Sequence, residues 1–311
     1  MMKQYKVSLI VPIYGVEKYI GKFVATALGQ TYANMQFVFV NDGTKDASMD
    51  ILHALIDEKF AHRKDDIIIV DKQNEGLPLA RKTGIEHASG DYVLFADSDD
   101  WMEIDAVEKV MAKAEETDAD IVYFDLVKEY GHRSSYKREQ EYTGSTRMDF
   151  IVNMFNYKSF GYTVTKCFKR RLYTDNIIYT PKLGMHEDIY LMSQIIFYAQ
   201  SMVHIPEALY HYRKDNPGSF CAQDRKKRHI SSTINMLDLY EHYRDNLKGS
   251  PIEKVAGSIL MRAGQHSIMH GYDFFAKYPY LAGDIRKTPI RCRYRTALPM
   301  QLLVKIYAIF K

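Results

Sequence analysis

An acidic cluster in the N-terminal half has the residue types and spacing of a metal site. Asp97, Asp99 and Asp100 follow a strand-like apolar run at residues 92–96. Two carboxylates one residue apart at a strand end can both reach one hard cation, which suits Mg²⁺ or Mn²⁺ better than zinc. The alternative is a capped loop in which Asp100 begins a helix over residues 101–114.

Apolar runs that alternate with helix-like segments must position this cluster. Strand-like runs occupy residues 7–12, 36–40, 67–71 and 92–96, and helix-like spacing occupies residues 17–28, 48–60 and 79–87. This alternation indicates βαβ units and an α/β fold with a mostly parallel sheet. Polar clusters follow four of the strands, at residues 12–14, 41–43, 71–76 and 97–100. Turns alone favour such residues, but the carboxyl ends of parallel strands share one edge, which predicts a common binding site.

The composition of the whole chain excludes several classes of protein. The 311 residues are 46% hydrophobic and carry a formal net charge of +3, which is too near neutrality for a surface that binds nucleic acid. The three cysteines are odd in number and widely spaced, which favours a reducing cytosol over a disulfide framework. No secretory signal and no run of roughly 20 apolar residues occurs. We therefore expect a cytoplasmic protein, soluble or peripheral on the inner face of the membrane.

Two common phosphate-binding motifs are missing from the sequence. No GxxxxGK[ST] loop occurs, and no two glycines are separated by a single residue, so the GxGxxG fingerprint is also missing. Any phosphate charge must therefore be met in another way. A metal on the acidic cluster, helped by Arg81 or Lys82 on the preceding helix, would do so.

Four motifs in a fixed order give the sequence a family resemblance. They are Val11-Pro12-Ile13-Tyr14, Asn41-Asp42-Gly43-Thr44, Asn74-Glu75-Gly76 followed by Ala80-Arg81, and Asp97-Ser98-Asp99-Asp100-Trp101. Their order and spacing resemble the successive motifs of family 2 glycosyltransferases over roughly residues 5–125. The resemblance continues more weakly through residues 186–188 and 210–213.

The resemblance implies a GT-A fold and an inverting transfer of a sugar from a nucleotide-diphosphate donor, usually a uridine diphosphate sugar. It assigns the donor-side residues by position. Pro12, Tyr14 and Glu17 would surround the base and ribose, and Asp42 would accept a hydrogen bond from the base. Asp97 would help to hold the donor's sugar or ribose, Asp99 would be the main ligand of Mg²⁺ or Mn²⁺, and Arg81 would contact the diphosphate or sugar. Gly15 and Lys82 stand where the family commonly has asparagine. These two departures make the donor sugar harder to predict but do not change the expected class of reaction.

Glu187 and Asp188 are the candidates for catalysis. Inverting transfer is a single displacement, so one general base and one stabiliser of the leaving group suffice. The pair resembles the family's Glu-Asp motif, which makes Asp188 the candidate base and Glu187 the neighbour that orients the base or the acceptor. The pair also begins a predicted helix over residues 189–199. Acidic residues in a first turn offset the helix macrodipole without any catalytic duty, which is the alternative.

The tyrosine-rich segment at residues 210–213 follows a strand-like run at residues 203–209. It resembles the family's segment before a mobile loop, here residues 216–219. We expect Arg213 or His211 to contact the diphosphate. For His211 a structural role is the stronger alternative.

We divide the chain into three regions. Residues 1–130 are predicted to bind the nucleotide sugar, residues 131–285 to hold a glycan or lipid-linked acceptor and the base, and residues 286–311 to form a basic amphipathic tail. The tail has seven lysines and arginines and no acidic residue. This composition suits contact with an anionic membrane surface, and packing on the protein body is the alternative.

The sequence alone leaves three functions open. The preferred one is an inverting glycosyltransferase in the assembly of surface polysaccharide or glycolipid. A sugar nucleotidyltransferase would ordinarily have a glycine-rich basic loop after its first strand, and residues 12–21 do not supply one. A catalytically silent sugar-nucleotide-binding partner needs no base, whereas both acidic clusters are present.

Overall fold

A computed structural model describes residues 4–139, 146–155, 158–181, 186–219 and 225–246, together with residues 259, 276 and 278. The side chains of residues 225–228 are outside this description. The predicted basic tail at residues 286–311 also lies outside the described residues. The fold and the candidate site are therefore built from the first 246 positions.

Strands and helices alternate through the first half of the chain. The strands are β1 (Val7–Ile13), β2 (Met35–Asn41), β3 (Ile67–Asp71), β4 (Tyr92–Phe95), β5 (Trp101–Met102), β6 (Ile121–Glu129), β7 (Ser134–Lys137), β8 (Lys166–Lys169) and β9 (Met202–Arg213). The helices are α1 (Ile20–Leu28), α2 (Ser48–Lys59), α3 (Leu77–Glu86), α4 (Ala106–Thr117), α5 (Arg147–Phe155), α6 (Arg171–Thr174), α7 (Glu187–Tyr198) and α8 (Arg225–Asn246).

All of these strands join one sheet in the order β3-β2-β1-β4-β8-β6-β9-β5, with β7 paired to β6. Strands β1, β2, β3, β4, β6 and β9 run in the same direction, and β5, β7 and β8 run against them. The prediction of an α/β fold with a mostly parallel sheet is confirmed. The sheet includes strands from both sides of residue 130, so one edge carries the carboxyl ends of the early strands and those of β6 and β9.

The central strands β1, β2 and β4 are buried on both faces of the sheet, which explains their continuous apolar runs. Alternate residues of β1 enter two different cores: Ile10 packs with the helices α3 and α7, and Leu9 packs with α1 and α4. Helix α1 buries Ile20, Phe23, Val24, Ala27 and Leu28, the spacing of a single helical face. The helices thus fix the sheet from both sides and leave its carboxyl edge to the loops.

The prediction of a helix beginning at Trp101 is wrong. Trp101 and Met102 form the short strand β5, which pairs with His211 and Tyr210 of β9. Helix α4 begins only at Ala106. The pairing partner lies more than 100 residues away, so local sequence periodicity could not reveal it. Instead of starting a helix, the residues after the acidic cluster bind it to β9.

Candidate active site

Asp100 anchors the acidic loop that follows β4. Its side chain is fully buried, Oδ2 accepts a hydrogen bond from the Tyr210 hydroxyl at 2.8 Å, and Oδ1 accepts one from the backbone amide of Arg213 at 2.7 Å. Burial, together with the charges of Asp99 and Asp97, raises the pKa of Asp100 well above its usual value. Asp100 therefore holds the loop on β9, and the interpretation of Asp100 as the start of a helix is wrong.

The two candidate metal ligands are also held in place. Asp97 accepts a hydrogen bond from Arg81 at 2.8 Å, and its backbone amide donates to the Tyr210 hydroxyl at 2.9 Å. Asp99 Oδ2 accepts a hydrogen bond from the Asn216 amide at 2.8 Å, while the Asp99 carbonyl accepts one from Arg213 Nε at 2.8 Å. Both carboxylates thus lie at the carboxyl edge of the sheet with a restricted orientation.

Arg81 joins the acidic loop to the second acidic pair. One terminal nitrogen, Nη2, lies 2.8 Å from Asp97 Oδ1, and the other, Nη1, lies 2.7 Å from Asp188 Oδ1 and 3.4 Å from Glu187 Oε1. The Arg81 side chain is only 4% exposed, whereas the side chains of Asp97 and Asp188 are 27% and 24% exposed, so these charge-assisted contacts join a buried guanidinium to partly exposed carboxylates. One guanidinium therefore brings together the two acidic motifs that the sequence separates by about 90 residues.

Glu187 and Asp188 occupy the first turn of α7 and differ in their surroundings. Burial, reinforced by the neighbouring charge of Asp188 and offset by Arg81, raises the pKa of Glu187 to about 8. Asp188 Oδ1 accepts hydrogen bonds from both Arg81 and the Thr163 hydroxyl, the latter at 2.8 Å. Within the described residues its second oxygen has no hydrogen bond. Glu187 therefore keeps its proton near neutral pH, and Asp188 presents a carboxylate oxygen that can accept one.

Asp42, the candidate partner of the donor's base, shapes the loop that precedes α3. Its buried carboxylate accepts hydrogen bonds from the backbone amides of Glu75 at 3.0 Å and Gly76 at 2.9 Å. Gly43 has a φ of +69°, and a Cβ atom there would lie 2.9 Å from the backbone nitrogen of Asn74. The two motifs are therefore packed together, with Asp42 as the link between them.

The remaining donor-side candidates lie at the end of β1. Pro12 is a buried strand residue, and its carbonyl accepts a hydrogen bond from the Ser98 hydroxyl at 2.8 Å. The Tyr14 side chain is 56% exposed at the carboxyl edge. Glu17 is exposed, and its Oε2 atom accepts a hydrogen bond from the backbone amide of Ala47 at 3.1 Å. Tyr14 is the candidate in this group most open to a ligand.

Arg213 lies in a group of cations and rings beside the acidic loop. Its guanidinium is 5.0 Å from the centre of the Trp101 ring and 4.8 Å from that of Tyr19, and Lys22 Nζ lies 3.0 Å from the Trp101 ring centre. Burial and the charge of Arg213 lower the pKa of Lys22. Positive charge is thus concentrated next to Asp99, where a diphosphate would need it.

His211 is held by the protein on both sides of its ring. Nδ1 lies 2.8 Å from Glu129 and Nε2 lies 2.7 Å from Glu103, while the ring stacks on Trp101 with centroids 5.1 Å apart. Both nitrogens therefore have carboxylate partners. This geometry favours the structural role for His211 and leaves Arg213 as the candidate for phosphate contact.

The part of the chain that carries Arg81 and the acidic loop matches a known sequence family. The family profile described as Glycosyl transferase family 2 matches residues 8–177, which is more than half of the chain. The chain belongs to glycosyl transferase family 2. The predicted resemblance is thereby confirmed.

Curated relatives of this family 2 chain come from several bacteria. The chain is 34% identical over 224 residues to the glycosyltransferase GlyA of Streptococcus pneumoniae, covering 68% of this chain and 31% of that protein. It is 31% identical over 217 residues to the putative glycosyltransferase EpsH of Bacillus subtilis, covering 68% and 62%. It is also 26% identical over 301 residues to the minor teichoic acid biosynthesis protein GgaB of Bacillus subtilis, covering 92% and 30%. The chain thus spans less than two thirds of the length of each of these relatives.

Solved structures share the fold at low sequence identity. Residues 1–349 of TarS from S. aureus, in complex with UDP-GlcNAc, match with a TM-score of 0.66 and 20% identity, covering 91% of this chain and 82% of that one. The mannosyltransferase PcManGT from Pyrobaculum calidifontis, in complex with GDP-Man and Mn²⁺, matches with a TM-score of 0.56 and 15% identity, covering 99% and 81%. The predicted GT-A architecture is confirmed.

The acidic loop of this family 2 chain has a donor set that fits a hard divalent cation. One oxygen of Asp97 is bound by Arg81 and one of Asp99 by Asn216, and within the described residues the other oxygen of each has no hydrogen bond. No group of three or more His, Cys, Asp or Glu side chains in the described part of the chain is arranged to hold a metal. Mg²⁺ commonly takes one or two protein carboxylates and completes its shell with phosphates and water, so these two side chains can suffice.

Sequence reasoning missed three residues that build the site. Tyr210 lies within the tyrosine-rich segment, which could have revealed it, because a buried tyrosine hydroxyl needs a polar partner. Thr163 belongs to no motif in the sequence, and Asn216 begins the loop at residues 216–219 without any sign of a contact with Asp99. They reach Asp188 and Asp99 only because the sheet brings their segments together.

Proposed function

We propose that this chain transfers a sugar, with inversion, from a nucleotide-diphosphate sugar to the hydroxyl of a glycan or lipid-linked acceptor. The observation that carries the proposal is the position of Arg81, which contacts Asp97 on the donor side and Asp188 on the acceptor side. Family membership and the fold shared with sugar-nucleotide-binding proteins support a donor of this class. The complex of the fold neighbour TarS with UDP-GlcNAc favours a uridine nucleotide.

The proposed reaction is one displacement at the anomeric carbon. The acceptor oxygen forms a bond to that carbon while the bond to the donor's β-phosphate oxygen breaks on the opposite face. Asp188 takes the acceptor's proton through its second carboxylate oxygen, as a general base within hydrogen-bond reach would do. Glu187 carries a proton of its own near neutral pH. It therefore orients the acceptor or the base and does not compete for the proton.

The charge of the departing nucleotide diphosphate must be stabilised on the donor side. Asp99 and Asp97 would hold Mg²⁺ or Mn²⁺, which supplies neutralising charge to the diphosphate when it is bound. Arg213 and Lys22 add positive charge beside the same loop. Pro12, Tyr14, Glu17 and Asp42 would bind the base and ribose, with Tyr14 the most exposed of the four.

We place this activity in the assembly of a surface polysaccharide, in which a membrane surface is a natural location. Similarity to a teichoic acid biosynthesis protein supports this setting. No helix in the described part of the chain has the length and apolar character needed to cross a bilayer. We propose that residues 286–311 make a peripheral contact with anionic lipid. Flotation of the full chain and of a chain lacking these residues tests it, since equal binding to anionic vesicles would contradict a role for the tail.

A donor screen tests the proposed activity. The full chain is incubated with a panel of uridine, guanosine and cytidine diphosphate sugars in Mn²⁺, in Mg²⁺ and in a chelator, and release of the nucleoside diphosphate is measured. We expect slow, metal-dependent hydrolysis of one uridine diphosphate sugar, because water can replace the acceptor. Hydrolysis that proceeds equally in the chelator would contradict the metal, and binding without any turnover of donor would favour a silent partner.

A further inference from the structure

The hydroxyl of Thr163 has one hydrogen-bond partner in the described part of the chain, and that partner is the candidate base. Oγ1 donates to Asp188 Oδ1 at 2.8 Å, and Thr163 is fully buried. Arg81 Nη1 lies 2.7 Å from the same carboxylate oxygen. A carboxylate oxygen has two lone-pair sites, so these two donors occupy Oδ1 and leave Oδ2 for a ligand.

The turn that carries Thr163 is attached to the middle of the sheet. Thr163–Thr165 form a 3₁₀ turn that leads directly into β8, and β8 lies between β4 and β6. Val164, in the same turn, is 4% exposed and packs in the core that includes α1 and α4. Strand pairing and core packing therefore set the position of the Thr163 hydroxyl before any ligand binds.

A buried lysine fixes the segment that precedes this turn. Lys166 Nζ donates to the carbonyls of Phe160 at 2.8 Å and Tyr162 at 3.2 Å, and it lies 3.3 Å from a carboxylate oxygen of Glu139. Glu139 Oε1 in turn accepts a hydrogen bond from the backbone amide of Phe160 at 2.9 Å. Residues 160–165 therefore close around one buried ammonium group.

Two further interactions join this segment to the first turn of α7. A Cβ atom on Gly161 would lie 2.6 Å from Cγ1 of Ile189, the residue after Asp188, so the backbone of the segment packs directly on the helix. Burial lowers the pKa of Lys166, and the charges of Glu139 and Asp188 oppose that shift. The segment is thus linked to the turn that carries the candidate base by packing, by charge and by a hydrogen bond.

Arg81 and the Thr163 hydroxyl hold the carboxylate in different ways. The guanidinium of Arg81 is shared, because it also contacts Asp97 at 2.8 Å and Glu187 at 3.4 Å. The hydroxyl of Thr163 is tied to Asp188 alone among the described residues. Loss of this hydroxyl should therefore disturb the base and leave the donor side unchanged.

We propose that Thr163 is a positioning residue for proton transfer, whose hydroxyl holds Asp188 so that Oδ2 stays available to the acceptor hydroxyl. The inference rests on the proposed function, in which Asp188 is the base. The acceptor's O–H bond breaks as its oxygen bonds to the anomeric carbon, and the proton passes to Oδ2 while Oδ1 keeps its two donors. Thr163 does not touch the reacting atoms and acts only through Asp188.

Thr163→Val tests the proposal, because valine keeps the shape of the side chain and lacks the hydroxyl. Single-turnover release of uridine diphosphate is measured with the panel of uridine diphosphate sugars in Mn²⁺, with water as the acceptor, and affinity for uridine diphosphate is measured by calorimetry. We expect the rate to fall by about 10- to 100-fold with unchanged affinity, as misplacement of a catalytic group would cause. Thr163→Ser keeps the hydroxyl and should recover most of the rate.

A double substitution distinguishes positioning from a loss of structure. In the Asp188→Asn background the base is already absent, so adding Thr163→Val should cause no further loss of rate. Thr163→Ala, which also removes the hydroxyl, replaces Thr163→Val if the valine variant does not fold.

The matched control is Thr233→Val on α8. Thr233 is 1% exposed, and its hydroxyl donates to the carbonyl of His229 at 2.8 Å. This variant loses a buried hydroxyl of the same type at a position outside the candidate site. It should therefore retain the native rate.

Three results would overturn the proposal. They are a native rate in Thr163→Val, a serine variant as slow as the valine variant, and a further loss of rate when Thr163→Val is added to Asp188→Asn. Each of them leaves the proposed function intact, because the native chain still turns over a donor. If the native chain releases uridine diphosphate from no donor of the panel, the proposed transfer from a uridine nucleotide fails, and the inference about Thr163 fails with it.

Discussion

Tyr210 donates a hydrogen bond to Asp100, and the same hydroxyl accepts one from the backbone amide of Asp97. One buried phenol therefore holds both ends of the acidic loop against β9. We expect Tyr210→Phe to lower the free energy of unfolding by about 1–3 kcal/mol, because the buried Asp100 carboxylate and the partly buried Asp97 amide each lose a partner. Chemical denaturation measures the change. Tyr130→Phe is the control, since within the described residues its hydroxyl has no hydrogen bond, and equal stability of the two variants would contradict the role of Tyr210.

Arg81→Lys tests whether transfer requires the two separate terminal nitrogens of the guanidinium or only its positive charge. A lysine keeps the positive charge but cannot contact Asp97 and Asp188 through separate nitrogens. We expect single-turnover transfer to fall by about 10²-fold or more through misplacement of the base. Lys59→Gln, which changes an exposed lysine on α2, should leave transfer unchanged. A native rate in Arg81→Lys would mean that charge alone suffices.

Asp188→Asn and Asp99→Ala should impair different properties of the enzyme, the first transfer alone and the second donor binding as well. Asparagine keeps the size of Asp188 but cannot take a proton, so transfer should fall by roughly 10²- to 10⁴-fold with donor affinity retained. Alanine at position 99 removes a metal ligand, so metal-dependent affinity for uridine diphosphate should be lost as well. Calorimetric titration and single-turnover assays measure the two properties. If Asp188→Asn transfers at the native rate, Glu187 becomes the candidate base.

Glu187 gives the protein a specific dependence of stability on pH. Its pKa is raised from 4.5 to about 8 in the folded chain, so the folded state binds more protons than the unfolded state between these values. The contribution of Glu187 to stability is therefore present below about pH 4.5 and is lost as pH rises through about 8. We expect Glu187→Gln to flatten the fall of the melting temperature over this range. Glu58→Gln, an exposed control on α2, should leave the native slope unchanged.

Lys166 and Glu139 form a buried ion pair, with Lys166 Nζ 3.3 Å from a carboxylate oxygen of Glu139 and both side chains at most 1% exposed. The stability of the fold should therefore be sensitive to the loss of either member. Lys166→Met removes the ammonium from beside a buried carboxylate, and we expect a loss of about 3–5 kcal/mol in the free energy of unfolding. Adding Glu139→Gln should restore part of it, because the remaining group is neutral. Denaturant unfolding of the two variants measures this, and a double variant less stable than Lys166→Met would contradict the coupling.

Strands β1, β2 and β4 could be predicted from sequence because each is buried on both faces and reads as a continuous apolar run. Strand β3 was predicted with its exact bounds, residues 67–71. Strand β5 could not be predicted, because a strand of two residues has no period of its own and exists only through its pairing with β9. A helix was predicted in its place because the prediction used only neighbouring residues, whereas the strand depends on residues more than 100 positions away.

The acidic motifs could be selected from the sequence because the proposed metal and proton chemistry restricts the residue types, and their roles stay predictions. The bridge made by Arg81 could not, since Asp188 lies 107 positions further along the chain and no local pattern encodes that distance. The sequence also offered no reason to select Thr163. Roles carried over by resemblance, such as that of Asp42 toward the base, remain predictions.

Trp101 is the only tryptophan in the 311 residues, and it lies directly after the acidic loop. Its ring is stacked by His211 and approached by the cations of Lys22 and Arg213. Any ligand that draws these cations toward a diphosphate changes the electrostatic surroundings of the indole. The chain therefore carries an intrinsic fluorescent reporter with which the proposed binding of donor and metal can be followed without a label.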